Sequence, residues 1–199
     1  MIGVSLDGFN DEPDGEAEPQ GEMERPIEHE DGWDDPNEED EWKDHNEVLN
    51  TVDTVFLGRR TYQIWRTFWP SMATNPSASK HESDFAHWIE KTPKLVFSKT
   101  LETVDWNNTR LIKGQIAEEI AQLKQLPGKN LLLFGGPGIA RTFMQAGLID
   151  EYRIKFHPML SGRGQPLWQE MTDRIPLKLM TTKVFASGVV LHVYQASRK

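Results

Sequence analysis

The chain of 199 residues contains no cysteine. That excludes a disulfide framework, a zinc–thiolate centre and a thiol nucleophile. No apolar run approaches the roughly 20 residues that a helix needs to cross a bilayer. The opening, Met1-Ile2-Gly3-Val4-Ser5-Leu6-Asp7, has neither the basic start nor the apolar stretch of a secretory signal. The expectation is a cytoplasmic protein with no membrane partner. The six histidines never gather, and in His81-Glu82 with His87 the second histidine falls six residues on, which fails the zinc His-Glu-x-x-His spacing. No metal site is expected. Basic residues are outnumbered 22 to 31, and Arg198-Lys199 is too short a patch to hold a nucleic acid, so none is expected as a partner.

What is abundant is acid, and it is unevenly placed. Residues 10–47 hold 18 of the 31 acidic side chains and only two of the 22 basic ones, Arg25 and Lys43. That stretch carries a net charge of −16 and the remainder +7. Pro13, Pro19, Pro26 and Pro36 punctuate it, so residues 10–37 read as a long mobile loop inserted into one basic domain. The loop is either a solvated insertion or a lid or docking segment for a basic partner.

Hydrophobic spacing predicts the rest. A short strand over 1–5 runs into a turn at Leu6-Asp7-Gly8. A helix over 38–52 carries Trp42, His45, Leu49 and Val52 on one face. A strand over 54–57 stops at Gly58, and a helix over 59–68 is expected to end at Trp69-Pro70. A helix over 81–91 follows, then strands over 94–97 and 109–112. A helix over 116–126 is closed by Pro127-Gly128, and the strand over 130–134 is apolar enough for burial on both faces. A helix through Ala146 is capped by Gly147. A strand over 152–157 precedes a hairpin of 177–185 with 189–195. Helices alternating with strands and closed by a hairpin give an α/β fold, its sheet mostly parallel.

Three segments can carry chemistry, each where a strand ends. In Leu131-Leu132-Leu133-Phe134-Gly135-Gly136-Pro137-Gly138-Ile139-Ala140 a buried strand meets two glycines and then a helix. Glycine lets a ligand approach backbone with no Cβ in the way, Pro137 suits a first helical position, and the helix start favours a phosphate. The same residues also make a tight turn with no ligand. The segment is not the usual dinucleotide fingerprint, since Arg141 stands at its sixth place, and no Gly-Lys-Ser/Thr follows to make a P-loop. In Gly58-Arg59-Arg60-Thr61-Tyr62 two guanidiniums stand at a helix start, where they oppose the macrodipole unless an anion sits there. In Val96-Phe97-Ser98-Lys99-Thr100 a hydroxyl and an ammonium can receive a phosphate monoester or form an ordinary polar loop. Ligands of open α/β sheets bind at this strand edge. Trp42 and Trp65 are either core or walls for a flat ring.

In this order the segments resemble the dihydrofolate reductase-like family, closest to the reductase domain of riboflavin-biosynthesis deaminase-reductases. The likeness rests on Val4-Ser5-Leu6-Asp7-Gly8-Phe9, on Val52 through Tyr62, on Val96-Phe97-Ser98-Lys99-Thr100-Leu101 and on Leu133-Phe134-Gly135-Gly136. It continues through Gly147-Leu148-Ile149-Asp150-Glu151-Tyr152-Arg153, His157-Pro158, Gly162-Arg163-Gly164-Gln165-Pro166-Leu167 and Ser187-Gly188-Val189-Val190. The resemblance implies a three-layer fold and an NADPH-dependent reductase acting on a small polar heterocycle or carbonyl compound. The reference case is the phosphoribosylamino-pyrimidine of riboflavin synthesis. It places the diphosphate at Gly58, Arg59, Arg60 and Thr61 and at Gly135, Gly136, Pro137, Gly138, Ile139 and Ala140, with Phe97 and Phe134 alongside. Ser98 and Lys99 would take the adenosine 2′-phosphate and Lys113 the adenine side. Asp7 would be catalytic beside the nicotinamide, and Glu41, Asp44, Trp65 and Lys155 would meet substrate. It also implies a homodimer. The first strand is shorter, and the following loop longer and more acidic, than the family's. Other readings on the same fold are a nucleotide-binding module without turnover, an interaction protein using the acidic segment, and dihydrofolate reductase itself.

Overall fold

A computed structural model describes residues 1–10, 39–169, 171 and 173–197. The predicted acidic loop therefore lies, beyond Asn10, outside the described residues. In chain order the elements are β1 (Ile2–Ser5), β2 (Phe9–Asn10), α1 (Glu39–Leu49), β3 (Val52–Gly58), α2 (Arg59–Met72) and α3 (Lys80–Lys91). Then follow β4 (Lys94–Phe97), β5 (Thr109–Ile112), α4 (Ile116–Leu123), β6 (Asn130–Phe134) and α5 (Pro137–Gln145). The chain closes with β7 (Glu151–His157), β8 (Gln165–Pro166), β9 (Leu177–Val184) and β10 (Val190–Ala196). It divides into two compact units, one of residues 41–135 and one of 1–40 with 136–199.

The unit of residues 41–135 holds a sheet ordered β5-β4-β3-β6, every pair parallel. All four residues of β4 are buried, as are Val55, Phe56, Leu57 and Gly58 of β3. Apart from Lys94 these are apolar runs, which central parallel strands covered on both faces require. Around them pack Tyr62, Phe68 and Trp69 of α2 and Phe85, Ala86 and Ile89 of α3. Each fully buried aliphatic or aromatic side chain stabilises by about 1.5–3 kcal/mol. A capping box starts α3: Glu82 N donates to Ser79 Oγ at 3.1 Å and Ser79 N to Glu82 Oε2 at 2.8 Å.

Four expectations are corrected here. Helix α1 ends at Leu49, where Thr51 N bonds three residues back to Val48 O, and Val52, expected on its face, opens β3 instead. Helix α2 does not end at Trp69-Pro70 but runs to Met72. Pro70 removes one bond near the end, where Ala73 N still reaches Trp69 O at 3.2 Å and buried Trp69 packs on Phe85 at 4.4 Å. Helix α4 stops at Leu123, because Gln125 N and Leu126 N bond three residues back, to Gln122 O and Leu123 O, and Pro127 disfavours helix at its predecessor. In β6 only Leu132 is fully buried, as the strand comes last in its sheet with ladder bonds to β3 alone.

The other unit holds a mixed sheet ordered β1-β7-β10-β9, with β1 parallel to β7 and the rest antiparallel, beside a two-residue pairing of β2 with β8. Val4, Tyr152 and Ile154 share a core with Ala140 and Met144 of α5 and with Leu167. A second cluster joins Phe185, Val189, Leu191 and Val193. Helix α5 ends in a Schellman motif: Gly147, at φ +64°, donates to Met144 O and Leu148 donates to Phe143 O. Among the described residues no helix is long and apolar enough to cross a membrane.

Candidate active site

Because β5, β4, β3 and β6 are parallel, their C-terminal ends leave the sheet along one edge. The register aligns them: Gly58 faces Phe97, Phe97 faces Ile112, and Leu57 faces Phe134. Arg59, Ser98, Lys113 and Gly135 are therefore the first residues past four neighbouring strand ends. The structure thus brings together, within one unit, Gly58, Arg59, Arg60, Thr61, Phe97, Ser98, Lys99, Lys113, Phe134 and Gly135.

Helix α2 starts with Gly58 in extended backbone, no side-chain cap and no acid in its first turn. Its first N–H groups are left to an outside acceptor. Arg59, Arg60, Lys99 and Lys113 are exposed, and none is ion-paired among the described residues. The Ser98 hydroxyl accepts from Thr100 N at 3.2 Å and Leu101 N at 3.1 Å, which closes a tight turn, and it also meets the Thr100 hydroxyl at 3.4 Å. After Lys113 come Gly114, with open space where a Cβ would stand, and Gln115 in the left-handed region at φ 51°. The side chain of Phe97 is buried edge-on to Phe56 at 5.3 Å, so only its backbone lines the edge.

Gly135 closes this unit and Gly136 opens the next stretch of the other. Gly136 is the extended N-cap of α5, without a side-chain cap, and Pro137 takes the first helical position. Ala140 N donates to Gly136 O at 3.2 Å, which closes the first turn. Pro137 and Ala140 are buried, whereas Gly138 is exposed with nothing near its Cβ position.

Asp7 and Lys155 belong to the unit of β1 and β7. The Asp7 carboxylate accepts from Ser5 Oγ at 2.6 Å, Ser161 N at 3.1 Å and Gly162 N at 2.8 Å. These bonds, that from Ser5 foremost, hold its pKa down at about 2. The turn is fastened further by Leu6 N to Met159 O and Leu167 N to Gly8 O. Gly8, at φ +86°, lies where a Cβ would stand 3.2 Å from Trp168. Lys155 Nζ sits 5.4 Å from the Phe185 ring centre.

Glu41, Asp44 and Trp65 lie in the unit of the parallel sheet. Glu41 and Asp44 are buried on α1. Between them Trp42 stacks on His81 at 5.2 Å, with ring planes 1° apart. Trp65 is half-buried, its ring 5.1 Å from Phe134 at the end of β6 and 5.6 Å from Phe85. Sequence reasoning missed a polar cluster in the same unit: Tyr62, Arg66 and Asp105. The spacing of Arg59, Tyr62 and Arg66 along one helix face was available as a signal, but nothing in the chain marked Asp105, 39 residues past Arg66, as their partner.

The sequence pattern of the family described as RibD C-terminal domain matches residues 1–191. This chain belongs to that family. The RibD C-terminal domain is the reductase family of riboflavin biosynthesis. The chain is 37% identical over 148 residues to protein YyaP of Bacillus subtilis (strain 168), covering 74% of this chain and 76% of YyaP. Among solved structures, a Shewanella sp. PV-4 protein assigned to riboflavin biosynthesis is similar in fold, with a TM-score of 0.64 and 22% identity over 99% of this chain and 97% of that one. Dihydrofolate reductase from Enterococcus faecalis, complexed with NADP(H), matches with a TM-score of 0.50 and 12% identity over 80% and 82% of the two chains. The α/β, dihydrofolate reductase-like fold expected from the sequence is thus found, with a parallel sheet flanked by helices.

Proposed function

We propose that this RibD C-terminal domain is an NADPH-dependent reductase of a small polar heterocyclic or carbonyl substrate, with the pyrimidine of riboflavin synthesis as the reference case. The observation that carries the reading is the set of four exposed cations, unpaired among the described residues, past parallel strand ends that the register aligns. Positive charge gathered at one strand edge suits a ligand with several phosphates. Arg59, Arg60 and Thr61, with the free N–H groups of α2, would hold the diphosphate. The bare backbone at Gly135 suits the same group. Ser98 and Lys99 would take the 2′-phosphate, and Lys113 would flank the adenine.

When bound, a nicotinamide nucleotide supplies the hydride, so the protein need only bind, orient and exclude water. The bonding of Asp7 gives it a positioning role. A carboxylate held at a pKa of about 2 is ionised at neutral pH and cannot donate a proton there, while it fixes the turn after β1 against residues 161 and 162. Trp65 is the ring wall, and Lys155 a candidate donor to substrate. Pairing of two copies is part of the proposal. Strand β9 comes last in its sheet and exposes Leu177, Leu179, Met180 and Val184.

Tryptophan quenching on NADPH addition, followed by NADPH oxidation against a panel of pyrimidine and carbonyl substrates, tests the reading. Quenching with turnover of one substrate supports it. Quenching without any turnover favours a nucleotide-binding module, and no quenching overturns the cofactor assignment.

A further inference from the structure

We propose that Tyr62, Arg66 and Asp105 form a clamp that positions the Ser98-Lys99 loop and thereby sets the preference for a 2′-phosphorylated dinucleotide. The inference rests on the reading of Ser98 and Lys99 as the 2′-phosphate site. Residues 98–108 link β4 to β5 with no regular secondary structure. The Ser98 hydroxyl shapes the first four residues locally. Ser98 is placed beside the head of α2 by the pairing of Phe97 with Gly58 and by its own N–H donating to Ile112 O at 3.1 Å, but the loop beyond it needs a tie of its own.

Asp105 supplies that tie. Tyr62 Oη donates to Asp105 Oδ1 at 2.8 Å and accepts from Asp105 N at 2.9 Å, so the loop is held by side chain and backbone at once. Arg66 Nη1 donates to both carboxylate oxygens, at 2.7 and 2.6 Å. The Arg66 guanidinium also lies 6.0 Å from the Tyr62 ring centre. Tyr62 is buried, which fixes its ring, and burial raises its phenol pKa. The bond from Arg66 is the main cause that lowers the Asp105 pKa, so the pair stays charged across the neutral range.

Arg59, Tyr62 and Arg66 follow one another at helical spacings of three and four, so they share a stripe of α2. One helix face thus presents an exposed guanidinium at its head and, a turn later, grips the loop that begins with Ser98 and Lys99. The next loop residue, Trp106, is anchored separately by its indole N–H donating to Glu90 and by the Lys94 ammonium 4.5 Å from its ring. That second anchor ties the loop to α3 and β4. The Asp105 clamp ties it to α2. A coil released from one of its anchors samples more positions, and a contact to a phosphate monoester depends on placing one ammonium.

The test compares dissociation constants for NADPH and NADH, read by tryptophan quenching on the full chain. The proteins are wild type, Lys99→Ala, Tyr62→Phe, Asp105→Asn and the double variant Tyr62→Phe/Lys99→Ala. Lys99→Ala should weaken NADPH about tenfold and leave NADH nearly unchanged, as loss of one charge-assisted contact predicts. Tyr62→Phe and Asp105→Asn should weaken NADPH severalfold and NADH little. The double variant should bind NADPH no more weakly than Lys99→Ala alone, because the clamp acts through Lys99. Asp105 is exposed, so Asp105→Asn retains the fold even where Tyr62→Phe disturbs the core. If both clamp variants weaken the two nucleotides equally, or neither, while Lys99→Ala shifts the preference, the clamp is overturned and the phosphate site stands. If Lys99→Ala leaves the preference unchanged, the site falls and the clamp with it.

Discussion

Lys94, at the start of β4, is 1% exposed, and its charge gives a sharp test of the core beside the candidate site. Its Nζ donates to Ile89 O at 2.6 Å and Thr92 O at 2.9 Å, against the Trp106 ring. Burial pushes its pKa from 10.5 down to about 8, with the Glu90 carboxylate pulling the other way. Below pH 8 the amine is protonated in both folded and unfolded chains, and the folded state bears the full burial cost. Between pH 8 and 10.5 the folded chain releases the proton while the unfolded chain keeps it, so stability rises with pH through that window. At 1.36 kcal/mol per unit the gain is about 3 kcal/mol. Lys94→Met keeps an unbranched apolar stem and removes the titration. Other lysines and tyrosines titrate in both proteins and cancel in the difference. Urea unfolding of both from pH 7 to 10.5 should show wild type gaining about 3 kcal/mol on the variant. The offset at pH 7 is not diagnostic, because losing the bonds to two carbonyls opposes losing the buried charge. Parallel curves across the whole range would refute the reasoning.

Gly136→Val should abolish NADPH binding in a protein that still unfolds cooperatively, because Gly136 has extended backbone that valine can adopt but its side chain would stand where the diphosphate must approach; unchanged affinity by titration would exclude that role. Asp7→Asn should flatten the acid limb of the stability curve, since a carboxylate with a lowered pKa stabilises above its unfolded value of 3.8 and loses that contribution as pH falls toward 2; urea midpoints at pH 5 and pH 2.5 would read it, and an unchanged limb would remove the latch. Arg60→Glu should raise the melting temperature of the nucleotide-free protein by removing a charge that opposes the α2 dipole, while NADPH affinity falls; a lowered melting temperature or a retained affinity would count against the argument. Sedimentation at micromolar concentration should show a dimer that Met180→Glu disperses, and a wild-type monomer would end the pairing proposal.

The parts of this fold legible in the chain are those whose signals are local. Strands over 94–97, 109–112 and 130–134 have the predicted bounds because each ends in a short apolar run followed at once by polar or glycine residues. The ends of α2 and α4 were misread for opposite reasons. Pro70 falls where a helix can spare one bond and where Trp69 and Phe68 are already buried, so packing overrides the breaker. Leu126 precedes Pro127, whose ring reaches back and tightens the last turn before the hydrophobic pattern stops. The two-residue pairing of β2 with β8 and the division of the strands between two sheets depend on register between distant segments, which no local window carries. The same holds for the site. Arg59, Ser98, Lys113 and Gly135 could each be read as following a strand, but only the pairing of Gly58 with Phe97 and of Phe97 with Ile112 makes them neighbours.

The electrostatics of α2 then connect fold to function. Basic side chains in the first turn of a helix face a partial positive charge, at about 0.3–1 kcal/mol apiece. A helix selected for stability alone would carry acids there, as α4 does with Glu118 and Glu119 and α3 with Glu82. Helix α2 instead carries Arg59 and Arg60, no acid and no capping side chain. The neighbouring loops add Lys99 and Lys113 without supplying a carboxylate to any of the four among the described residues. The charge rule for a helix start is broken at this edge and kept at α3 and α4 of the same unit, although α4 too lacks a capping side chain. Such a departure marks a functional site when one missing ligand would satisfy all the broken rules together. A polyphosphate at the edge would accept from the free N–H groups of α2, reverse the sign of the dipole interaction and pair the four cations.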